Sequence, residues 1–293
     1  MNKKVETNMT ILNRLFVVFM AMMMAFTGVF CMSDPVVAKS KKETPSSTEK
    51  WGVFIGGKCL RKNSKKVKKY RYVVVDAQYY NKSEIRSFKK GGRKVYSYLS
   101  IGSLERYRPY YNKFRKYIKG RYNNWDDEQW VDVTKKDWQD FVVKNLVRDF
   151  RKKGINGLWI DNTDVYYEYP TKEIFQSLVS MLRKIRQKGF PVIINGGDVF
   201  VSELIRTGNQ KLIKGIMQEE VLTRIANYRK GKFAHQEMDD YLYFTRYCTS
   251  VKKAGLSVAL LEYARSKKMK KTITNFCKKN GYTVYISNNV QLQ

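Results

Sequence analysis

The chain has 293 residues, of which 43% are hydrophobic and 14% aromatic, so one sizeable core is expected. Lys and Arg number 57 against 26 Asp and Glu, and the net charge of +31 favours anionic neighbours such as nucleic acid, lipid headgroups or an acidic cell wall. The only histidine, His235, excludes a multi-histidine metal site, and the sequence has no nucleotide-binding glycine motif or calcium loop, so no metal or cofactor is expected.

The first 38 residues have the features of an export signal. A basic segment with Lys3, Lys4 and Arg14 precedes an apolar run over 15–32, and the small residues at 36–38 would allow cleavage after position 38. The apolar run is also near the lower limit for a membrane span, so an uncleaved N-terminal anchor is an alternative. We therefore predict an extracellular protein, either secreted or associated with the cell surface.

Residues 39–50 are polar and rich in Ser, Thr and Lys, which predicts a linker in front of a single domain over 51–293. Removal of the signal would leave Cys59, Cys248 and Cys277, so at most one disulfide could form. Such sparse cysteine use at a cell surface would suit a bacterium with a single membrane.

From residue 51 onward, short β-branched runs alternate with amphipathic helical segments, as in consecutive βα units. In the segment 171–187, for example, apolar side chains recur on one face and Thr171 is a natural N-cap. Strands are predicted at 52–56, 72–76, 95–100, 130–133, 158–161, 192–195, 215–218 and 258–261, with a further run at 283–287 as a possible extra C-terminal strand. Eight strands at this spacing predict an α/β fold of the (β/α)8 TIM barrel type, although an open doubly wound sheet shows the same alternation.

Acidic and polar side chains follow most of the predicted strands. Because the carboxyl ends of barrel strands meet on one face, where active sites of this fold lie, these side chains are expected to form one acidic ring. Its members are Asp76, Glu105, Asp132, Asp161, Asn162, Asp164, Asn195, Asp198, Glu219, Glu220 and Glu262, with Tyr98 and Tyr263 among the aromatic residues nearby. Any one of these acids could simply cap the following helix. In so basic a chain, however, a ring of acids at the ends of most strands indicates a functional site.

A ring of carboxylates beside aromatic side chains fits glycoside hydrolysis. One carboxyl group protonates the leaving oxygen, and the other attacks the sugar carbon or activates water. Sugar rings stack on flat apolar faces such as those of tyrosine and tryptophan. A Ser-His-Asp triad, in contrast, would depend entirely on His235, which lies in a polar segment.

Several segments resemble the motifs of glycoside hydrolase family 114, the endo-α-1,4-polygalactosaminidases. Residues 95–109 (VYSYLSIGSLERYRP) are similar to the family's strand-three motif, and residues 154–166 (GINGLWIDNTDVY) to its strand-five motif. Weaker similarities occur at 128–132, at Asp76 and at 262–264. Together the resemblance covers residues 51 to about 290, nearly all of the chain after the predicted signal.

The resemblance implies a (β/α)8 barrel that hydrolyses α-1,4-linked galactosamine polymers of a biofilm or cell surface. It places one catalytic carboxylate on Asp161 and the second on the Glu that closes strand seven, where Glu219 is preferred to Glu220 because it directly follows the apolar run. The residues expected to line the sugar groove are Asp76, Tyr98, Glu105, Asp132, Asn162, Asp164, Asn195, Glu220 and Tyr263.

The leading hypothesis is a retaining endo-glycosidase in which Asp161 is the nucleophile and Glu219 the general acid and base. A glycan-binding barrel without activity is one alternative, and a binder of nucleic acid or another anionic polymer is a second.

A deacetylated galactosamine polymer is a polycation, which a chain of this charge repels at long range. We therefore expect a local acidic groove for the substrate, a basic exterior that associates with an anionic envelope, and no specific nucleic acid.

Overall fold

The computed structural model describes residues 50–61, 64–123 and 125–293. The signal or anchor predicted over 1–38, and all but the last residue of the linker predicted over 39–50, lie outside these ranges. Within them, no helix has the length and apolar character needed to cross a membrane. Cys59, Cys248 and Cys277 are free thiols.

Eight parallel strands follow one another around a nearly closed barrel. They are β1 (Trp51–Phe54), β2 (Tyr72–Val75), β3 (Lys94–Ser100), β7 (Gly157–Asp161), β8 (Val192–Asn195), β9 (Gly215–Glu219), β12 (Ser257–Tyr263) and β13 (Thr283–Ser287). Side chains join the first strand to the last, since the rings of Phe54 and Tyr285 lie 6.0 Å apart. The prediction of a (β/α)8 barrel is confirmed.

Helices connect the strands and cover the outside of the barrel. They are α1 (Lys82–Phe88), α2 (Tyr111–Phe114), α3 (Lys136–Phe141), α4 (Val147–Lys153), α5 (Val165–Glu168), α6 (Lys172–Gln187), α7 (Asp198–Arg206), α8 (Met238–Lys253) and α9 (Lys267–Asn280). A π-helical segment, Val142–Leu146, joins α3 to α4, and shorter 3-10 helices span Ser64–Lys69, Ala77–Tyr79, Arg115–Tyr117 and Gln210–Leu212. The hydroxyl of Thr171 accepts the backbone N–H of Ile174 and begins α6, as predicted.

One predicted barrel strand is wrong. The run at 130–133 belongs to β6 (Glu128–Val131), which pairs antiparallel with β4 (Ser103–Glu105) and β5 (Ile118–Arg121) in a separate sheet after β3. The eighth barrel strand is instead β13, at the run that the sequence analysis treated as optional. A short apolar run can form backbone hydrogen bonds in a parallel barrel or in an antiparallel sheet. Its composition therefore does not show which strand it pairs with.

The core has two layers, one between the sheet and the helices and one inside the barrel. The interior layer includes Trp51, Val53, Tyr72, Val74, Tyr96, Tyr98, Trp159, Ile193, Met217, Ala259, Leu261, Tyr263 and Tyr285. Because side chains alternate along a strand, the residue two positions after an interior one also faces inward. The final residues of β7, β8 and β9, namely Asp161, Asn195 and Glu219, therefore face the mouth of the barrel.

A hairpin of β10 (Thr223–Asn227) and β11 (Lys232–His235) follows β9 at this mouth. Buried Glu262 holds its base, because the carboxylate accepts the backbone N–H groups of Val221, Leu222 and Thr223 and the Thr223 hydroxyl. Glu262 belongs to the predicted ring of acids, but these contacts make it a structural residue that fixes the hairpin.

Candidate active site

A cavity of about 710 Å³ opens at the carboxyl ends of the barrel strands. Its acidic lining residues are Asp76, Glu105, Asp127, Glu128, Asp161, Glu219, Glu220 and Asp240, and its aromatic ones are Tyr79, Tyr98, Tyr107, Tyr122, Trp125, Tyr228, Phe244 and Tyr263. No lysine or arginine of the described ranges lines it. A chain of net charge +31 thus has an acidic, aromatic cleft, as expected for a sugar site.

Asn195 joins the two predicted catalytic acids. Its side-chain nitrogen donates to Asp161 Oδ1 over 3.1 Å and to Glu219 Oε1 over 2.7 Å. Since both bonds share one nitrogen, the two carboxylate oxygens are less than about 6 Å apart. Retaining glycosidases separate their carboxyl groups by about 5 Å and inverting ones by about 7–9 Å, so this spacing fits the retaining class.

The chain turns sharply after each of these acids. Asn162 follows Asp161 with φ 61°, and Glu220 follows Glu219 with φ 56°. Asparagine tolerates this left-handed conformation, whereas for a glutamate it costs of the order of 1 kcal/mol. The turns end β7 and β9 directly at Asp161 and Glu219, which leaves these carboxyl groups at the lip of the barrel.

The two acids hold protons more tightly than free carboxyl groups. Burial raises the pKa of Asp161 well above its ordinary value, and the charges of Glu128 and Glu219 raise it further. Burial also raises the pKa of Glu219, although hydrogen bonds from Tyr263 and Asn195 oppose this effect. A cationic group entering the cavity would lower both pKa values by favouring the ionised carboxylates.

Tyrosine hydroxyls hold two of the cavity's acids, Glu219 and Glu105, in place. Tyr263 donates to Glu219 Oε2 over 2.7 Å, and its ring packs against Phe233 of the hairpin at 5.5 Å. Tyr98 and Tyr107 both donate to Glu105 Oε1, over 3.1 and 2.7 Å. Each carboxylate is therefore held in a defined position before any ligand arrives.

Arg108 is a buried cation beside the cavity that the sequence analysis did not assign to the site. Its guanidinium donates to Asp76 Oδ2 over 2.6 Å and to Glu105 Oε1 over 2.9 Å. One cation thus pairs with two of the predicted ring members and fixes the positions of both carboxylates. Arg108 lies within the strand-three motif, but it belongs to a loop. Loops have no hydrophobic periodicity, so the sequence did not indicate that Arg108 lies beside the cavity.

Glu128 is a second residue that the sequence analysis did not assign to the site. Its Oε1 accepts the Asn162 side-chain N–H over 2.5 Å and also the Ser103 hydroxyl. Burial and the charge of Glu105 raise the pKa of Glu128 to about 7. In the weak motif at 128–132, the residue that lines the cavity is therefore Glu128 and not Asp132.

Two predicted groove residues, Asp132 and Asp164, do not line the cavity. Asp132 accepts the Thr134 N–H and hydroxyl and pairs with Lys135, because the strand before it lies in the separate antiparallel sheet. Asp164 lies behind the mouth, where it accepts the Gly197 N–H over 3.3 Å. The remaining predicted residues, Asp76, Tyr98, Glu105, Asn162, Asn195, Glu220 and Tyr263, all line the cavity with Asp161 and Glu219.

Replacing Glu128 with Gln is expected to stabilise the protein more at pH 8 than at pH 5. The folded-state pKa of about 7 lies above the ordinary value of 4.5, so the wild type loses stability between pH 4.5, where the unfolded chain ionises, and pH 7, where the folded carboxyl group ionises. Because glutamine cannot ionise, the free energy of unfolding of the variant should exceed that of the wild type by about 2 kcal/mol at pH 8 and by less than about 1 kcal/mol at pH 5.

Urea unfolding at the two pH values measures this difference. Glu168→Gln, at an exposed glutamate, is the matched control and should change stability little at either pH. An equal effect of Glu128→Gln at pH 5 and pH 8 would mean that the Glu128 carboxyl does not titrate with a raised pKa.

Comparison with known proteins agrees with this geometry. The model of glycoside-hydrolase family GH114 matches residues 32–291. An uncharacterized protein of Deinococcus radiodurans is 29% identical over 149 residues, which span 47% of this chain and 48% of that relative. The match thus covers about half the length of the relative.

Two solved structures share the fold. The glycoside hydrolase domain of PelA from Pseudomonas aeruginosa superposes with a TM-score of 0.70 at 16% identity, over 83% of this chain and 95% of that one. Ega3 of Aspergillus fumigatus, in complex with galactosamine, superposes with a TM-score of 0.65 at 18% identity, over 87% and 96%. The family match extends across the whole described barrel, and the chain therefore belongs to glycoside hydrolase family GH114 and is a glycosidase.

Proposed function

We propose that this glycosidase cuts internal α-1,4 bonds of a galactosamine-containing polysaccharide with Asp161 and Glu219. The observation that carries the proposal is the pair of partly buried carboxyl groups whose bonded oxygens are held less than about 6 Å apart by the one amide of Asn195. The family match and the galactosamine bound to the structurally similar Ega3 support the choice of sugar.

In the first step, Asp161 attacks the anomeric carbon while Glu219 gives its proton to the leaving oxygen. Both hydrogen bonds to Asp161, from Asn195 and from the Asn162 backbone, use Oδ1, which leaves Oδ2 as the attacking oxygen. The products of this step are a shortened chain and a glycosyl ester on Asp161.

In the second step, ionised Glu219 removes a proton from a water molecule whose oxygen attacks the same carbon. The ester bond breaks, Asp161 regains its charge and Glu219 regains its proton. Tyr263, which donates to Glu219 Oε2, keeps this carboxyl group oriented through both steps.

The polar lining fits an amino sugar. Asn195 Oδ1 and Gln218 Oε1 are buried acceptors with no hydrogen-bond partner among the described residues. Both residues line the cavity, and the carboxylates around them are acceptors for a ligand rich in hydroxyl and ammonium donors. Within about 8 Å, the Debye length at physiological salt, the acidic lining attracts a polycation that the basic exterior repels.

We further propose that the enzyme acts outside the cell and associates with an anionic envelope. The basic and apolar character of residues 1–38 supports export, and the net charge of +31 supports the association. In this arrangement the exterior binds the cell surface while the acidic cleft remains open to the substrate.

Digestion of a partially deacetylated α-1,4-galactosamine polymer tests this function. Cutting at internal bonds should shorten the mean chain length long before monomer appears, and proton NMR should detect the α-anomer as the first product. Release of monomer from the start would contradict internal cutting, and initial β-anomer would contradict retention.

Replacing Trp125 with Ala is expected to raise KM about fivefold to tenfold while kcat changes less than twofold. The Trp125 and Tyr228 rings meet edge to face at 5.8 Å and are 39% and 38% exposed, so they form an aromatic rim on the cavity where sugar units away from the cut bond would stack. Steady-state kinetics on the polymer measures the change. Tyr167→Ala, at an exposed tyrosine remote from the cavity, is the control, and an equal effect there would exclude a specific role for the rim.

A further inference from the structure

A second cavity of about 490 Å³ lies beside the first and shares Tyr263 with it. The hairpin of β10 and β11 supplies Lys230, Lys232 and His235 to its lining, and Arg265 lies at the end of β12. No acidic side chain of the described residues lines this cavity. Its charge is therefore opposite to that of the neighbouring active site.

Arg265 is held in place beside the turn that carries the two lysines. Its guanidinium lies over the Phe233 ring at 5.1 Å, and its Nε donates to the Asn288 carbonyl over 3.2 Å. A methyl group added at Gly231 would come within 3.3 Å of a terminal nitrogen of Arg265, so the guanidinium lies against the turn that separates Lys230 from Lys232. Three cationic side chains thus converge in one concave site.

Such a cluster of like charges is unfavourable unless an anion completes it. Glu237, an acid that closely follows β11, already pairs with Arg224 over 2.7 Å. Neither Lys230 nor Lys232 forms an ion pair with a described residue. The cavity therefore has donors and positive charge to offer a ligand, and the protein provides no counter-ion for them.

We propose that this cavity binds a phosphate group of a phosphodiester polymer at the cell surface, which gives the proposed envelope association a specific site. Arginine recognises phosphate through paired N–H donors and lysine recognises it as a point charge, and this cavity offers both kinds of cation. The first turns of α9 extend the basic surface beyond the cavity with Lys267, Lys268, Lys270 and Lys271.

A repeating polymer can place one phosphate in the cavity and its neighbours along α9. Occupancy would neutralise the basic surface beside the active site and weaken the long-range repulsion of a cationic substrate. The polymer would thus hold the enzyme at the envelope with its acidic cleft free.

The test measures binding of poly(glycerol phosphate) to the protein by calorimetry, with inorganic phosphate as the minimal probe. The variant Lys230→Gln/Lys232→Gln/Arg265→Gln removes the three cations of the cavity. Its matched control, Arg148→Gln/Lys152→Gln/Lys211→Gln, removes one arginine and two lysines from exposed positions elsewhere. We expect at least tenfold weaker binding in the cavity variant and a change below twofold in the control.

Equal losses in the two variants would overturn the proposal, because they would show that net charge alone binds the polymer. Binding of polygalacturonate as tight as that of poly(glycerol phosphate) would overturn the preference for phosphate. Hydrolysis of the galactosamine polymer is measured separately at saturating substrate, where repulsion of the polymer no longer limits the rate, and kcat should be the same in both variants. Failure of the anion site and failure of the proposed hydrolysis can therefore be told apart.

Discussion

Asp161→Asn is expected to lower kcat on the polymer by about 10⁴-fold or more while the fold stays intact. Asparagine keeps the size of the side chain and the Oδ1 atom that accepts from Asn195, but a neutral amide cannot attack the anomeric carbon. The substitution also removes an acid whose pKa is raised by desolvation and by the charges of Glu128 and Glu219, so the free energy of unfolding should not fall. Steady-state kinetics and urea unfolding measure the two effects.

Asp164→Asn is the matched control for this substitution. Asp164 is a partly buried acid three residues after Asp161, in the loop that follows β7, and its pKa is raised to about 7, but it does not line the cavity. We expect its replacement to change kcat less than tenfold. Comparable losses at Asp161 and Asp164 would show that the activity depends on this loop as a whole, and wild-type activity in Asp161→Asn would exclude this residue as the nucleophile.

Glu219→Gln is expected to lower kcat on the polymer by about 10³-fold, whereas Glu220→Gln should lower it less than tenfold. Glu219 shares the Asn195 amide with Asp161, but the Glu220 carboxylate turns back to accept the Ile225 N–H over 3.2 Å. The comparison of the two variants decides which acid closing β9 takes part in proton transfer. A larger loss in Glu220→Gln would reverse the assignment.

The roles of the two acids can be separated with an aryl glycoside of a short galactosamine oligomer. A good leaving group departs without a proton, so Glu219→Gln should form the glycosyl ester on Asp161 at a rate close to that of the wild type. Asp161→Asn should fail on this substrate as it does on the polymer. The opposite pattern would make Glu219 the nucleophile and Asp161 the acid.

The barrel and its two central acids could be predicted because their signals are local. Each barrel strand is a short β-branched run, and alternation along a strand assigns its last residue to one face. Trp159 and Met217 face the interior, so Asp161 and Glu219 two positions later do as well, whereas Glu220 lies beyond the strand in a left-handed turn. The same alternation, applied to the sequence, would have supported the choice of Glu219 on physical grounds.

The rest of the cavity could not be predicted because it depends on the sheet inserted after β3. Its strands are short and pair antiparallel with one another, and the alternation of βα units does not encode that pairing. A barrel strand at 130–133 would place Asp132, the residue at its end, in the site. The strand β6 instead contributes its first residue, Glu128, to the cavity. Arg108 was overlooked for the same reason, because only the folded insertion brings it between Asp76 and Glu105.

The most direct test of hydrolysis by this barrel is a reducing-end assay on partially deacetylated α-1,4-galactosamine polymer, with wild type and Asp161→Asn side by side. We expect new reducing ends with the wild type and none above background with the variant, although both should bind the polymer. Binding by the wild type without any new reducing ends would contradict hydrolysis of this polymer and favour a barrel that only binds it.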